Sequence, residues 1–233
     1  MELISTLTGW EFLIRWFHFL AGVAWIGMLW YFNFVQTPFF GSELGGGAKG
    51  AMTRGLVPNA LWWFRWGAMF TFLTGWTIVL MKLHSGVALT SPYFAKILTG
   101  GLMGTFMWAN VWFVIWPAQK VVIASAEQIA GGGEAIPEAA ARGARAGTAS
   151  RINTLFSIPM LFFMGSASHL PHFLADASMA AWWITMVIIV VAVELHALIG
   201  PGLPSQKPLT SVSGTIHAGL ALTLVLYLAG VFL

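Results

Sequence analysis

The chain has 233 residues, of which 58% are hydrophobic and 8% charged, against roughly 25% charged in an ordinary soluble domain, so a soluble globule is excluded. It has no cysteine, which excludes disulfides, thiolate metal sites, iron–sulfur clusters and the CxxCH attachment of c-type haem. The formal net charge of +3 is too small to argue for a nucleic-acid partner, while 13 Trp and 18 Phe suit a protein whose aromatics crowd membrane interfaces.

The first residues, MELISTLTGWEF, carry Glu2 and Glu11 ahead of any basic residue, and no small-residue cleavage site follows the apolar run. The segment therefore reads as a retained first span and not as a cleaved signal. At about 20 residues per span, the chain divides into six: 12–35, 60–81, 95–117, 152–170, 180–200 and 210–232. Between them lie a Gly-rich stretch at 41–55, a turn at 85–92, a polar segment after Pro117 and the turn GPGLPSQKP. No internal repeat or second domain is visible. The expected fold is all-α, a polytopic transmembrane helix bundle forming a single membrane domain over 1–233, embedded in lipid.

Six spans place both termini on one side. Lys49, Arg54, Arg65, Lys120, Arg142, Arg145, Arg151 and Lys207 fall on the loops and helix ends of the other side, leaving Arg15, Lys82 and Lys96 opposite. Basic residues gather on cytoplasmic loops, which predicts periplasmic termini.

Ionisable groups inside a membrane are costly and mark candidate sites. His18 lies in RWFHFLAGVAWIG, with Arg15 three residues before it and Gly22 four after on the same helical face. An imidazole for iron, a small residue admitting a macrocycle and a guanidinium for a propionate are what haem b needs. The alternative is a histidine bonded to a neighbouring helix. His196 and His217 approach from the same end at nearly matched depth, as ligation across a second haem or an interhelical hydrogen bond requires. His169, at the end of the fourth span in SASHLPH, is the expected partner of His18, whereas His172 and His84 read as interfacial.

Glu194 is the one carboxylate well inside a span. It reads either as a structural carboxyl or as a site of proton delivery or quinone binding. Gln119, Lys120, Arg151 and Asn153 cluster where the third span ends and the fourth begins, which suits haem propionates or an anionic substrate as well as ordinary anchoring.

The stretches WFHFLAGVAWIGMLWYFN (16–33), WANVWFVIWPAQK (108–120) and SRINTLFSIPMLFFMGSASHLP (150–171) resemble the membrane domain of bacterial membrane-bound urate oxidase. The resemblance highlights His18, Gly22, Trp25, Asn110, Trp112, Trp116, Pro117, Gln119, Lys120, Arg151, Asn153, Thr154, Ser157, Pro159 and His169. It implies a bacterial inner-membrane protein with redox chemistry. Members of that family continue into a soluble cytochrome c domain, whereas this chain ends in LVLYLAGVFL without a cysteine. Electrons are then expected to leave to a separate cytochrome c, a quinone or another membrane subunit. Three functions remain open: a membrane-embedded haem b electron carrier, alone or as a subunit of a respiratory or other redox complex; an oxidoreductase acting on urate or a related small molecule; and a cofactor-free structural subunit.

Overall fold

The computed structural model describes residues 2–199 and 203–233; the first three residues of the GPGLPSQKP turn lie outside them. After a single helical turn at Glu2–Ser5, six long helices follow: α1 (Leu7–Phe40), α2 (Glu43–His84), α3 (Pro92–Ala130), α4 (Ala139–His169), α5 (Met179–Ile199) and α6 (Val212–Phe232). A 3₁₀ segment, Pro204–Thr210, leads into α6, and no strand occurs among the described residues. Side-chain hydroxyls start four of the six helices: Thr6, Ser42, Ser91 and Ser211 accept the N–H of Gly9, Gly45, Phe94 and Gly214, each satisfying a donor the first turn leaves open.

Two expected loops are helical. The Gly-rich stretch 41–55 is mostly the first three turns of α2, because the Ser42 cap and Glu43 in the first turn favour a helix start that the glycines only weaken. The polar segment after Pro117 continues α3 to Ala130 and begins α4 at Ala139, with a turn of 131–138 between them. The helices thus extend well past the apolar runs at this end, which carries eight of the chain's eleven basic residues and is called here the basic end.

Five of the six helices are long and apolar enough to cross a membrane. The exception, α4, carries Asn153, Thr154, Ser157 and Ser166, all buried. It packs against α1, α3, α5 and α6, so its polar faces meet protein where the others meet lipid. The outward faces of those others are apolar, with Phe113, Leu80, Ile188 and Phe232 among the exposed side chains, as contact with hydrocarbon requires.

Small residues bring the helices together. A Cβ added at Gly67 of α2 would stand 3.0 Å from the Trp25 nitrogen and 3.2 Å from the Ala21 carbonyl oxygen of α1, so the two backbones nearly touch there. Amides lock the centre. Asn153 of α4 donates to the Met107 carbonyl of α3 (2.9 Å) and accepts from Asn110 Nδ2 (2.9 Å), and both side chains are buried. At the far end Lys96, 1% exposed, donates to the Leu170 carbonyl at 2.7 Å, closing the last turn of α4 where carbonyls lack helical donors.

Both α1 and α3 widen into a π-helical turn, at Tyr31–Gln36 and Asn110–Ile115. Each is followed within two residues by a proline, Pro38 and Pro117, which lacks an N–H and crowds the carbonyl four residues earlier. The wider turn bonds Thr37 N–H to the Phe32 carbonyl and Trp116 N–H to that of Val111, relieving the clash.

Gly67→Val should destabilise the detergent-solubilised protein by about 1–3 kcal/mol, because neither neighbouring atom is free to move aside. Gly46→Ala, whose Cβ meets nothing within 4 Å, should be neutral or stabilise by up to about 1 kcal/mol. Thermal unfolding checks both. Asn153→Ala removes two buried bonds between α4 and α3, while the Met107 carbonyl keeps a helical donor and the Asn110 side chain keeps Glu194, and should cost about 1–3 kcal/mol in all; a melting point equal to the parent's would contradict the account.

Candidate functional site

At the basic end a cavity of about 1140 Å³ opens between α1, α2, α3, α4 and the 3₁₀ segment. Its inner wall is aromatic: Phe32 of α1 and Phe64 of α2 pack edge to face, 5.6 Å between centroids. Its polar lining comes from Asn33 and Gln36 of α1, Gln119 of α3, Arg151 of α4, and Lys49 and Lys207 nearer the mouth. Asn33 is already bonded, its amide donating to Ser150 Oγ (2.7 Å) and the Leu29 carbonyl. Gln36 is 8% exposed, and its Oε1 has no hydrogen-bond partner. Arg151 Nη1 is likewise shielded from solvent and unbonded. The cavity is therefore lined by two residues, Gln36 and Arg151, whose buried Oε1 and Nη1 have no protein partner, beside an apolar aromatic wall.

Both π turns border this space. The first carries Asn33 and Gln36 and the second ends at Ile115, another lining residue. A π turn shifts the side chains beyond it around the helix axis, and such turns recur at functional sites.

The four polar residues expected to cluster divide into three settings. Arg151 and Gln119 line the cavity. Asn153 belongs to the buried amide pair with Asn110. Lys120 points outward, exposed, its Nζ 5.8 Å from the Trp116 ring centroid. One residue of separation on a helix turns side chains by about 100°, which is why 119 and 120 diverge.

Glu194 is 4% exposed and hydrogen-bonded by the Asn110 side chain, while its Oε2 has no partner. The carboxyl thus extends the Asn153–Asn110 chain from α4 through α3 to α5.

His18 Nδ1 lies 3.0 Å from Thr74 Oγ1 on α2. The single Thr74 hydroxyl proton goes to the Phe70 carbonyl at 2.6 Å, so this contact requires His18 to donate from Nδ1. The Thr71 carbonyl, 3.2 Å from that hydroxyl, is a further acceptor for the ring. In a neutral imidazole Nε2 then keeps its lone pair. Gly75 makes room for the ring, since a Cβ there would stand 3.1 Å from His18 Cε1. Gly22 faces Thr71 of α2, with 3.9 Å between a built Cβ and the Thr71 methyl. Arg15 is paired with Glu11, which also accepts from Lys82 Nζ at 2.7 Å.

The other histidines stand apart. His169 is exposed at the end of α4 and shares no ring contact or hydrogen bond with His18. His196 Nε2 meets Ser205 Oγ of the 3₁₀ segment at 2.6 Å, and His217, exposed, turns its Nδ1 back to the Ser213 carbonyl of its own helix at 2.7 Å. The two rings are engaged separately and are not joined by any contact. Among the described residues, no group of three or more His, Cys, Asp or Glu side chains gathers to hold a bare metal ion.

Asn33 and Gln36 are not among the site residues expected from the sequence, and Lys49 enters there only through the charge distribution. Two amides three residues apart in the apolar run YFNFVQTPF, just ahead of a proline, are the signal that points to them.

No curated protein and no solved structure matches the chain. The family described as urate oxidase N-terminal matches residues 84–226, more than half of the sequence, and takes in α3, α4, α5 and most of α6. The matched part includes Asn110, Gln119, Arg151, Asn153 and Glu194, and the chain is a helical membrane protein belonging to the urate oxidase N-terminal family.

Proposed function

We propose that this protein is a membrane oxidoreductase module that takes urate, or a closely related planar anion, into the basic-end cavity. The observation that carries this reading is the pair of unbonded groups there, the Arg151 guanidinium nitrogen and Gln36 Oε1, set beside the Phe32–Phe64 wall. Urate is flat, anionic and edged with carbonyls and N–H groups. With their side chains turned into the cavity, Arg151 donates to its charged edge and Gln36 Oε1 accepts an N–H, while Gln119 supplies a further amide and the aromatic wall packs against the ring. Lys49 and Lys207 near the mouth attract the anion. The positive-inside rule assigns this end to the cytoplasm of a bacterial inner membrane and both termini to the periplasm; a reporter fused after Leu233 should accordingly be active only outside the cytoplasm.

The redox partner within the bundle is haem b, with His18 as its protein ligand. His18 would hold the haem iron through Nε2, because a metal-bound histidine usually donates its other ring nitrogen to a nearby acceptor and Nδ1 has that acceptor in Thr74. Among the described residues no other histidine shares a ring contact or hydrogen bond with His18, and Arg15 is held by Glu11, so the residues present would hold the group through a single imidazole. Haem, when bound, supplies one-electron acceptance. The chain's own part is to orient the imidazole through Thr74, to shield it between α1 and α2, and to hold the substrate at the opposite end. Electrons would pass on to a cytochrome c, a quinone or another membrane subunit.

Equilibrium dialysis of purified protein against urate tests the substrate reading. Arg151→Gln and Gln36→Leu should each weaken binding by roughly tenfold or more, the worth of a hydrogen bond involving a charged or desolvated group; unchanged affinity in both would overturn it. A reduced-minus-oxidised spectrum tests the cofactor. The parent should show a b-type signal that His18→Ala abolishes, and Thr74→Val should reduce haem affinity about 10–100-fold. Full haem content in His18→Ala would remove His18 from the site.

A further inference from the structure

On the outer surface of α2 and α3, away from the cavity, two cations share one indole. The Arg65 guanidinium carbon stands 3.8 Å from the Trp116 ring centroid and Lys120 Nζ stands 5.8 Å from the same centroid. Among the described residues neither cation has a carboxylate or hydrogen-bond partner, and Arg65 Nε is shielded from solvent as well as unbonded. A cation–π contact lessens the cost of such charges without neutralising them, and cations at the hydrocarbon edge without a counter-charge are expensive. One turn toward the basic end, Trp62 and Trp63 are exposed and packed edge to face, in the manner of interfacial anchors. Toward the bundle centre the same surface continues as apolar side chains, with Phe70 and Phe113 42% and 70% exposed and Trp66 against Trp112 between the helices. Cations at headgroup level above an apolar strip match a ligand with an anionic head and hydrocarbon tails. We propose that Arg65 and Lys120 bind the headgroup phosphate of an anionic phospholipid, with its acyl chains lying along the α2–α3 surface.

The test uses the full chain purified in a neutral detergent and supplied with phosphatidylglycerol, with phosphatidylcholine or with inorganic phosphate, read by native mass spectrometry and by thermal unfolding. Phosphatidylglycerol should stay bound and raise the melting temperature, whereas phosphatidylcholine and inorganic phosphate should do neither. Each cation removed should lower phosphatidylglycerol retention roughly fivefold. Lys120→Gln is exposed and keeps the fold testable should Arg65→Gln unfold the protein. Arg54→Gln, at the same end but bonded to its own helix at the Gly50 carbonyl, should leave retention unchanged. Three results would each overturn the proposal: equal stabilisation by phosphatidylcholine, a shift reproduced by inorganic phosphate alone, and a loss from Arg54→Gln as large as that from Lys120→Gln.

Discussion

A polar side chain carried into hydrocarbon has no water to bond, so each must be satisfied by another part of the chain or stand where a ligand reaches it. This constraint separates the buried polar residues that are bonded from those that are not. Asn110, Asn153, Asn33 and Ser157 bond across helices, to Asn153 Oδ1, the Met107 carbonyl, Ser150 and the Trp30 indole respectively, and so hold α4 against α1 and α3. Gln36 Oε1, Arg151 Nη1, Glu194 Oε2, Arg65 Nε and the indole nitrogens of Trp25, Trp108, Trp112 and Trp182 have no such partner, and of these residues Gln36 and Arg151 line the basic-end cavity.

The position of α4 follows from the same constraint. Its serines, threonine and asparagine are too many for a helix facing lipid, and neighbouring helices cover them. Close approach is supplied by glycine, as at Gly219 of α6, where a Cβ would stand 2.9 Å from the Leu155 carbonyl. That carbonyl is the one Pro159, four residues on, leaves without a helical donor. Prolines at 38 and 117 have a different consequence, widening α1 and α3 beside the cavity. The cavity therefore lies where two helices depart from regular geometry.

The all-α bundle was legible in the sequence because composition and apolar run length report directly on membrane crossing: five helices are long and apolar enough to span. Helix ends were less legible. Turns that project beyond the apolar runs carry no hydrophobic period, and the signal at α2 lies in the Ser42 cap rather than in any pattern. In the candidate site, Arg151 and Gln119 were visible as polar residues at span ends. The separation of Lys120 and Asn153 from them depends on helix rotation, which span positions alone do not set. The Thr74 contact of His18 was hidden for a related reason, since it joins residues 56 apart in sequence and depends on how α1 and α2 are turned toward each other. Matched depth placed His196 and His217 at one end, yet depth carries no rotational information, and the two rings have separate partners.

The absence of cysteine from the chain permits a direct measurement of cavity occupancy. Gly147 lines the cavity, and a side chain added there meets nothing within 4 Å, so Gly147→Cys introduces a single thiol into an otherwise thiol-free protein without displacing a neighbour. Maleimide labelling of this variant should slow several-fold as urate is added, with a midpoint equal to the urate dissociation constant, while labelling of Gly46→Cys, outside the cavity lining, should not change. A labelling rate at Gly147→Cys that is indifferent to saturating urate would contradict the assignment of the cavity as the substrate site.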